Sequence, residues 1–186
     1  MTLSTDIQIS LDKFGLLSID PVNHCWTKPP PGYLKLNVDG SFLDGHASFG
    51  GILRDNDGTW IWGFAGAFPT ADALEAELMA IRTDLHVLLD KRISRVLIET
   101  DSSQAVNLFH GHPEDTHPLL LTILDYKRIH TQLWSSPILY TPRTCNTCAH
   151  LLASLGRHSL VAGNIVWFPV IPAPLQGAVQ SDMYIC

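Results

Sequence analysis

The chain changes its hydrophobic periodicity several times along its length. The stretch "YLKLNVDGSF" alternates apolar and polar positions from Leu34 onward, which predicts a half-buried strand that ends at Asp39 and Gly40. The stretch "FGGILRDNDGTWIWGFAGAF" has two apolar runs separated by Asn56-Asp57-Gly58, which predicts a hairpin with its turn at these three residues. Three strands therefore open the pattern, and we expect neighbouring ones to be antiparallel.

The period then becomes helical. Apolar residues recur at steps of three and four in "DALEAELMAIRTDLHVLLD", which predicts an amphipathic helix over 72–90. The remaining pattern predicts a strand in "RVLIETD", helices in "SSQAVNLF" and "HPLLLTILDYKRIHTQL", a strand in "SPILYTPR" and a last helix in "NTCAHLLASLG" that ends at Gly156. This order of elements indicates an α/β domain, a mixed sheet with helices covering its faces.

Proline-rich segments suggest where the domain begins and ends. "WTKPPPG" is a stiff, extended lead-in, so we expect an N-terminal extension over residues 1–25 and a domain over 26–156. Residues 157–186 contain "WFPVIPAPLQGAVQSDMYIC", which predicts a loose, proline-containing C-terminal tail.

Composition excludes several classes of protein. Hydrophobic residues make up 46% and charged residues 16%, which is typical of a globular chain, and the net charge of −6 argues against a strongly basic nucleic-acid clamp. No stretch approaches the roughly 20 apolar residues of a membrane span, and the N-terminus lacks the pattern of a signal peptide. The four cysteines are too few and too unevenly spaced for a secreted disulfide framework. We therefore expect a monomer in the cytosol or nucleus.

Three carboxylates fall at places where sites are often built. Asp39 and Asp101 each end a predicted strand, and Ser102 follows Asp101 as a possible helix cap. Glu77 lies at the edge of the apolar stripe of helix 72–90 and can point toward the sheet. A cluster of this kind suits divalent cations, although turn, cap and solvent-exposed roles are ordinary alternatives for each residue.

Five motifs in order carry a resemblance to a known family: "KLNVDGSF", "GGILRDNDGTWIWGF", "ALEAELMAI", "IETDSSQAV" and "PRTCNTCAHLLA". They resemble ribonuclease H-like domains, most of all the plant type related to the ribonuclease H domains of non-LTR retroelements. The resemblance implies a five-stranded mixed sheet in the order 3-2-1-4-5 with helices on both faces. It also implies metal-dependent hydrolysis of RNA in RNA–DNA hybrids, with two ions of Mg²⁺ or Mn²⁺.

The resemblance assigns roles to individual residues. Asp39, Glu77 and Asp101 match the family's catalytic, metal-binding acids. The fourth acidic position of the pattern "N-x-x-A-D-x-L-A" is His150 here, so we expect His150 to serve as a metal ligand or a proton shuttle. The loop before the last helix lacks the histidine that many members carry, and Arg143 lies there instead.

Substrate contacts and activity follow less directly. Gly40, Ser41, Asn107 and Arg143 are candidates for binding the hybrid, with turn, capping and solvated roles as the alternative. The sequence leaves two functions open. One is a ribonuclease H-like endonuclease impaired by His150, and the other is a catalytically weak or inactive nucleic-acid-binding domain of the same fold.

Cys145 and Cys148 form a CxxC pair that offers a third hypothesis. A structural zinc site needs four ligands, and the chain has no second CxxC or nearby histidine pair. A thiol-redox site remains an alternative, because a helix N-terminus can lower the pKa of a cysteine.

Overall fold

A computed structural model describes residues 25–69, 72–133, 137–159, 161 and 163–184. The predicted N-terminal extension lies outside these ranges except for its last residue, Cys25. Residue 136, the start of a predicted strand, also lies outside them.

Six strands form one mixed sheet within the described ranges. The sheet order is β5-β4-β1-β2-β3-β6; the pairs β1–β4 and β4–β5 are parallel and the other pairs are antiparallel. This confirms the predicted α/β fold and the order 3-2-1-4-5, to which the structure adds a sixth strand beside β3. The strands are β1 (Leu34–Leu43), β2 (His46–Arg54), β3 (Trp60–Phe68), β4 (Val96–Thr100), β5 (Ile138–Tyr140) and β6 (Ile165–Phe168).

Helices cover both faces of this sheet. They are α1 (Ala73–Asp90), α2 (Ser103–His110), α3 (Leu120–His130), α4 (Thr147–Ser159) and α5 (Gln176–Tyr184), with single 3-10 turns at Arg143–Cys145 and Ala173–Leu175. The Ser102 side chain accepts a hydrogen bond from the Ala105 N–H at 3.2 Å, which confirms Ser102 as the cap of α2. None of the helices in the described part of the chain has the length and apolar character needed to cross a membrane.

Clusters of buried hydrophobic residues lie on both sides of the sheet. On one side, Leu36 and Val38 of β1 pack with the apolar stripe of α1 and with α2 and α3. On the other side, Ile52 of β2 packs with Leu152 of α4 and with Leu175 near the C-terminus. Since side chains alternate between the faces of a strand, Asn37 and Asp39 face the side of α4.

Strand β1 is longer than its sequence pattern predicts. It does not end at Asp39-Gly40 but continues to Leu43, which pairs with His46 of β2. The parallel pairing with β4 does stop here, since its last pair is Val38 with Thr100. Asp39 therefore lies beside the end of β4, and β1 continues beyond it because it still pairs with β2.

The C-terminal segment is structured, so the predicted loose tail is wrong. Helix α4 does not stop at Gly156, as predicted, but continues to Ser159. Gly156 instead allows the helix to pack closely on β3, since a Cβ there would lie 2.6 Å from the Gly66 carbonyl oxygen. Beyond it, β6 pairs with β3 and the fully buried Leu175 packs under α4. The residues that make these contacts are far apart in the sequence, so local periodicity does not predict them.

Leu175→Ala should therefore destabilise the protein by about 2–5 kcal/mol, the usual effect of truncating a buried leucine. The free energy of unfolding measured by urea denaturation checks this. Leu121→Ala is the matched control, because Leu121 is 81% exposed and its truncation should change the free energy by no more than ~0.5 kcal/mol. Equal, small effects of both substitutions would show that the C-terminal segment is not part of the core.

Candidate metal centre

The three predicted acids converge on one site. Asp39 comes from β1, Glu77 from the second turn of α1, and Asp101 from the bend directly after β4. Each offers a carboxylate oxygen, and these three oxygens all lie within 4.8 Å of one another. Asp39 is 2% exposed, so the cluster is partly withdrawn from water.

Gly40 allows the helix that carries Glu77 to reach the strand that carries Asp39. A Cβ at Gly40 would lie 2.4–2.6 Å from backbone atoms of Ala76 and Glu77, a distance that no side chain tolerates. The Gly40 N–H donates a hydrogen bond to Glu77 Oε2 at 3.0 Å. Gly40 therefore fixes the Glu77 carboxylate beside Asp39, both by its lack of a side chain and by the hydrogen bond from its N–H.

Asn146 is a residue of this site that the sequence analysis did not single out. It is 1% exposed and precedes α4, and its Nδ2 donates to the Val38 carbonyl at 2.8 Å and to Asp101 Oδ1 at 3.2 Å. It thereby links Asp101 to β1. Its place as the first residue of the "N-x-x-A" pattern was the signal that could have identified it.

His150 lies at the fourth corner of the site, on α4. Its Nδ1 is 3.1 Å from Asp39 Oδ2, and the Arg143 Nη2 is 3.2 Å from Nδ1 and 3.1 Å from Nε2. A guanidinium only donates hydrogen bonds, so Arg143 competes with a metal ion for the ring nitrogens. In this arrangement His150 contacts an acid of the cluster and a cation at the same time.

Burial raises the affinity of the cluster for positive charge. Burial is the main cause that raises the pKa of Glu77 to about 8; the nearby charge of Asp39 raises it further, and the hydrogen bond from Gly40 lowers it. Burial also raises the pKa of Asp39 to about 6, against the hydrogen bond with His150, while the charge of Asp101 adds to the increase. Without a cation, these groups hold protons at unusually high pH.

The chemistry of the donor set fits a divalent ion. Three clustered carboxylates supply the hard oxygen ligands that Mg²⁺ and Mn²⁺ prefer, and a bound cation would relieve their mutual repulsion. Asp39, Glu77 and Asp101 are the residues that could hold such an ion.

A cleft of about 450 Å³ opens beside the cluster and contains most of the predicted substrate residues. Gly40, Ser41 and Arg143 line it, and the Ser41 hydroxyl accepts a hydrogen bond from Arg157 of α4. Asn107 does not line the cleft and is exposed on α2. Ser102, predicted only as a helix cap, also lines the cleft, together with Ser103 and Gln104, which the sequence did not single out.

Cys145 and Cys148 are both buried. The Cys148 thiol donates to Asp182 Oδ2 at 3.3 Å, and burial together with that carboxylate raises the pKa of Cys148 to about 12. Burial likewise raises the pKa of Cys145. Neither thiol is activated as a redox site requires, so the CxxC pair is a structural part of the start of α4.

Sequence comparison places most of the chain in a known family. A family model described as reverse transcriptase-like matches residues 37–156. A protein of Arabidopsis thaliana that is named as a candidate ribonuclease H is 30% identical over 165 residues, which are 84% of this chain and 25% of that protein. The chain thus spans about a quarter of the length of this relative.

Solved structures share the fold. Ribonuclease H1 of the archaeon Halobacterium salinarum has a TM-score of 0.62 at 21% identity, over 67% of this chain and 97% of its own. A ribonuclease H1 isolated from compost, solved in complex with an RNA/DNA hybrid, has a TM-score of 0.59 at 17% identity, over 67% of this chain and 96% of its own. A foamy viral protease–reverse transcriptase bound to an RNA/DNA hybrid has a TM-score of 0.54 at 16% identity, over 69% of this chain and 20% of its own.

The raised pKa of Glu77 predicts that the metal-free protein loses stability as pH rises. The folded state holds a proton on Glu77 up to about pH 8, whereas the ordinary value is 4.5, so stability should fall between these two values. Denaturation in EDTA at several pH values measures this slope.

Glu77→Gln should make the slope shallower, because the glutamine does not ionise. Glu75→Gln, the same change two residues earlier on α1, serves as the control and should keep the slope of the parent protein. An unchanged slope in Glu77→Gln would show that the Glu77 carboxylate does not have a raised pKa in the folded protein.

Proposed function

This chain belongs to the reverse-transcriptase-like family and folds as a ribonuclease H-like domain, and on this basis we propose that it is an endonuclease that hydrolyses RNA in RNA–DNA hybrids with divalent metal ions. The observation that carries the proposal is the convergence of Asp39, Glu77 and Asp101 from three separate elements. A turn or capping role for each acid would not require that they meet.

The proposed site would take two ions of Mg²⁺ or Mn²⁺. Asp39, Glu77 and Asp101 would hold the first, and His150 would take the place of a carboxylate for the second. When bound, such ions lower the pKa of an attacking water and stabilise the leaving oxygen of a phosphodiester. Because an imidazole is neutral and softer than a carboxylate, the second ion should bind more weakly and favour Mn²⁺.

The chain's own residues prepare this site before any substrate arrives. The Gly40 N–H and the Asn146 amide hold Glu77 and Asp101 in place, so that little reorganisation is needed. His150 has to leave Asp39 and Arg143 to act as a ligand, and from its present position it can instead move a proton to or from Asp39. Arg143, freed from His150, is the fixed cation best placed to contact a phosphate.

Two structural neighbours support the choice of an RNA–DNA hybrid as substrate, because both were solved bound to one. The cleft beside the acids presents Ser41 and Arg143, a hydroxyl and a guanidinium suited to a 2′-hydroxyl and a phosphate. Asn107 stays a proposal for a more distant contact, since it lies outside the cleft. With a net charge of −6, binding should be weak and sensitive to salt.

One observation favours a second candidate function. The imidazole of His150 and the guanidinium of Arg143 fill the corner where the family pattern has an acid, which weakens the case for a second ion. A domain that binds hybrids with little or no catalysis would keep the cleft and need only one ion or none.

Asp101→Asn should abolish cleavage of a labelled RNA–DNA hybrid in both Mg²⁺ and Mn²⁺, because it removes an anionic ligand while keeping the shape of the side chain. Asp115→Asn, the same change in an exposed loop, should cleave like the parent protein. A folded parent protein that binds the hybrid but does not cleave it in either metal would reject the nuclease and support the binding domain.

His150→Asp should increase the rate of cleavage in Mg²⁺ by about tenfold or more, which corresponds to ~1.4 kcal/mol of activation free energy. The added carboxylate restores the acid of the family pattern and removes the imidazole that contacts Arg143. His150→Asn is the matched control, since it also removes the imidazole but adds no charge. Equal rates for the two variants would show that the charge at this corner is unimportant.

A further inference from the structure

A network of buried polar side chains lies directly behind the acids of the site. Asn37 precedes Asp39 by two residues on β1 and faces the same side. Glu99 of β4 likewise precedes Asp101 by two residues, although Asp101 lies in the bend after that strand. Asn37 and Glu99 are direct neighbours across the parallel pair β1–β4, and Asn37 Nδ2 donates to Glu99 Oε2 at 3.0 Å. This bond ties together the two strands that present Asp39 and Asp101.

The network continues to both ends of the described chain. Asn37 Oδ1 accepts from Trp26 Nε1 at 2.8 Å and from Arg54 Nη2 at 2.9 Å. Arg54 Nη1 lies 2.6 Å from Asp182 Oδ2 on α5, and its guanidinium stacks 3.7 Å from the centre of the Trp26 ring. The lead-in before β1 thus contacts Asn37 directly, and the last helix is connected to it through Arg54.

A second buried ion pair completes the network at Glu99. Lys35 Nζ is 2.6 Å from Glu99 Oε1 and also donates to the Thr27 carbonyl at 2.6 Å. The side chains of Lys35 and Arg54 are 2% and 1% exposed, and their partners Glu99 and Asp182 are 10% and 8% exposed. Two cations and two anions are therefore removed from water within one cluster.

Stability alone is a poor reason for such a cluster. Removing two charges from water costs more than a buried ion pair commonly returns, and well-packed apolar side chains of similar size are often as stable. What the polar cluster provides, and apolar packing does not, is a side-chain link between β1 and β4 that adds to their backbone pairing two residues before the acids. Groups that hydrogen-bond directly to metal ligands commonly affect metal affinity by about 10–100-fold, and for this network, which acts through the strands, we expect the lower end of that range.

We propose that Trp26, Asn37, Arg54 and Asp182 are positioning residues of the metal centre, which set the spacing of Asp39 and Asp101 through the bond between Asn37 and Glu99. The C-terminal helix α5 is then a functional part of the site, although no atom of Asp182 belongs to the carboxylate cluster. The proposal rests on the proposed function, since it assumes that the three acids bind a divalent ion.

The test measures the dissociation constant of Mn²⁺ for the full chain by isothermal titration calorimetry, together with the melting temperature. The paired substitution Arg54→Met with Asp182→Leu removes both charges at once, so it should keep or recover stability. It still breaks the link to Asn37, and we expect it to weaken Mn²⁺ binding about tenfold. Trp26→Phe keeps the ring stacked on Arg54 but removes one hydrogen bond to Asn37, and should weaken binding to a smaller extent.

Ile123→Ala is the control for a loss of stability without a loss of position. Ile123 is fully buried on α3, on the opposite side of the sheet, so its truncation should lower the melting temperature and leave the Mn²⁺ dissociation constant unchanged. Parent-like Mn²⁺ affinity in both network variants would overturn the positioning role while leaving the metal site intact. A parent protein that does not bind Mn²⁺ would instead overturn the proposed function, and the positioning role with it.

Discussion

The site depends on the close contact between helix α1 and strand β1 at Gly40. The helix backbone lies so near the strand that even a methyl group at Gly40 would collide with Ala76 and Glu77. This approach brings Glu77 within hydrogen-bonding distance of the Gly40 N–H and beside Asp39. Since packed interiors do not yield easily, the position of the glutamate is set by the core that α1 forms with the sheet.

The repulsion between the three carboxylates opposes the close positions that packing gives them. Three carboxylates lie close together and partly buried, and the protein keeps them there with an amide from Asn146, the backbone at Gly40 and the imidazole of His150. The raised pKa values of Asp39 and Glu77 are the consequence, because burial and the neighbouring carboxylates disfavour their charged forms. A site strained in this way gains more from binding a divalent ion than three exposed acids would.

The sequence predicts the parts of the fold that depend on local pattern. Alternation locates β1, the helical period locates α1, and Asp101-Ser102 marks both the end of β4 and the cap of α2. Contacts between distant residues are what local pattern cannot show. Asp182 forms an ion pair with Arg54, although 128 positions separate them in the sequence. Likewise, β1 extends beyond Asp39 because it pairs with β2.

The same limit applies to the site. Asp39, Glu77 and Asp101 could be predicted because acids at strand ends and on helix edges stand out, and the family pattern points to the same residues. Asn146 is an isolated amide whose partners only the fold brings together. The resemblance identified His150 as a residue that replaces the family's fourth acid. Its contact with Arg143 could not be predicted, because it depends on how the 3-10 turn that carries Arg143 leads into α4.

Diffraction from crystals soaked in Mn²⁺ would show whether the three acids form one metal site. Anomalous scattering locates manganese without reference to activity. We expect a strong anomalous peak bounded by Asp39, Glu77 and Asp101, with a weaker peak, or none, beside His150. Ordered carboxylates with no peak between them, or manganese bound only elsewhere, would show that the three acids are not a metal site.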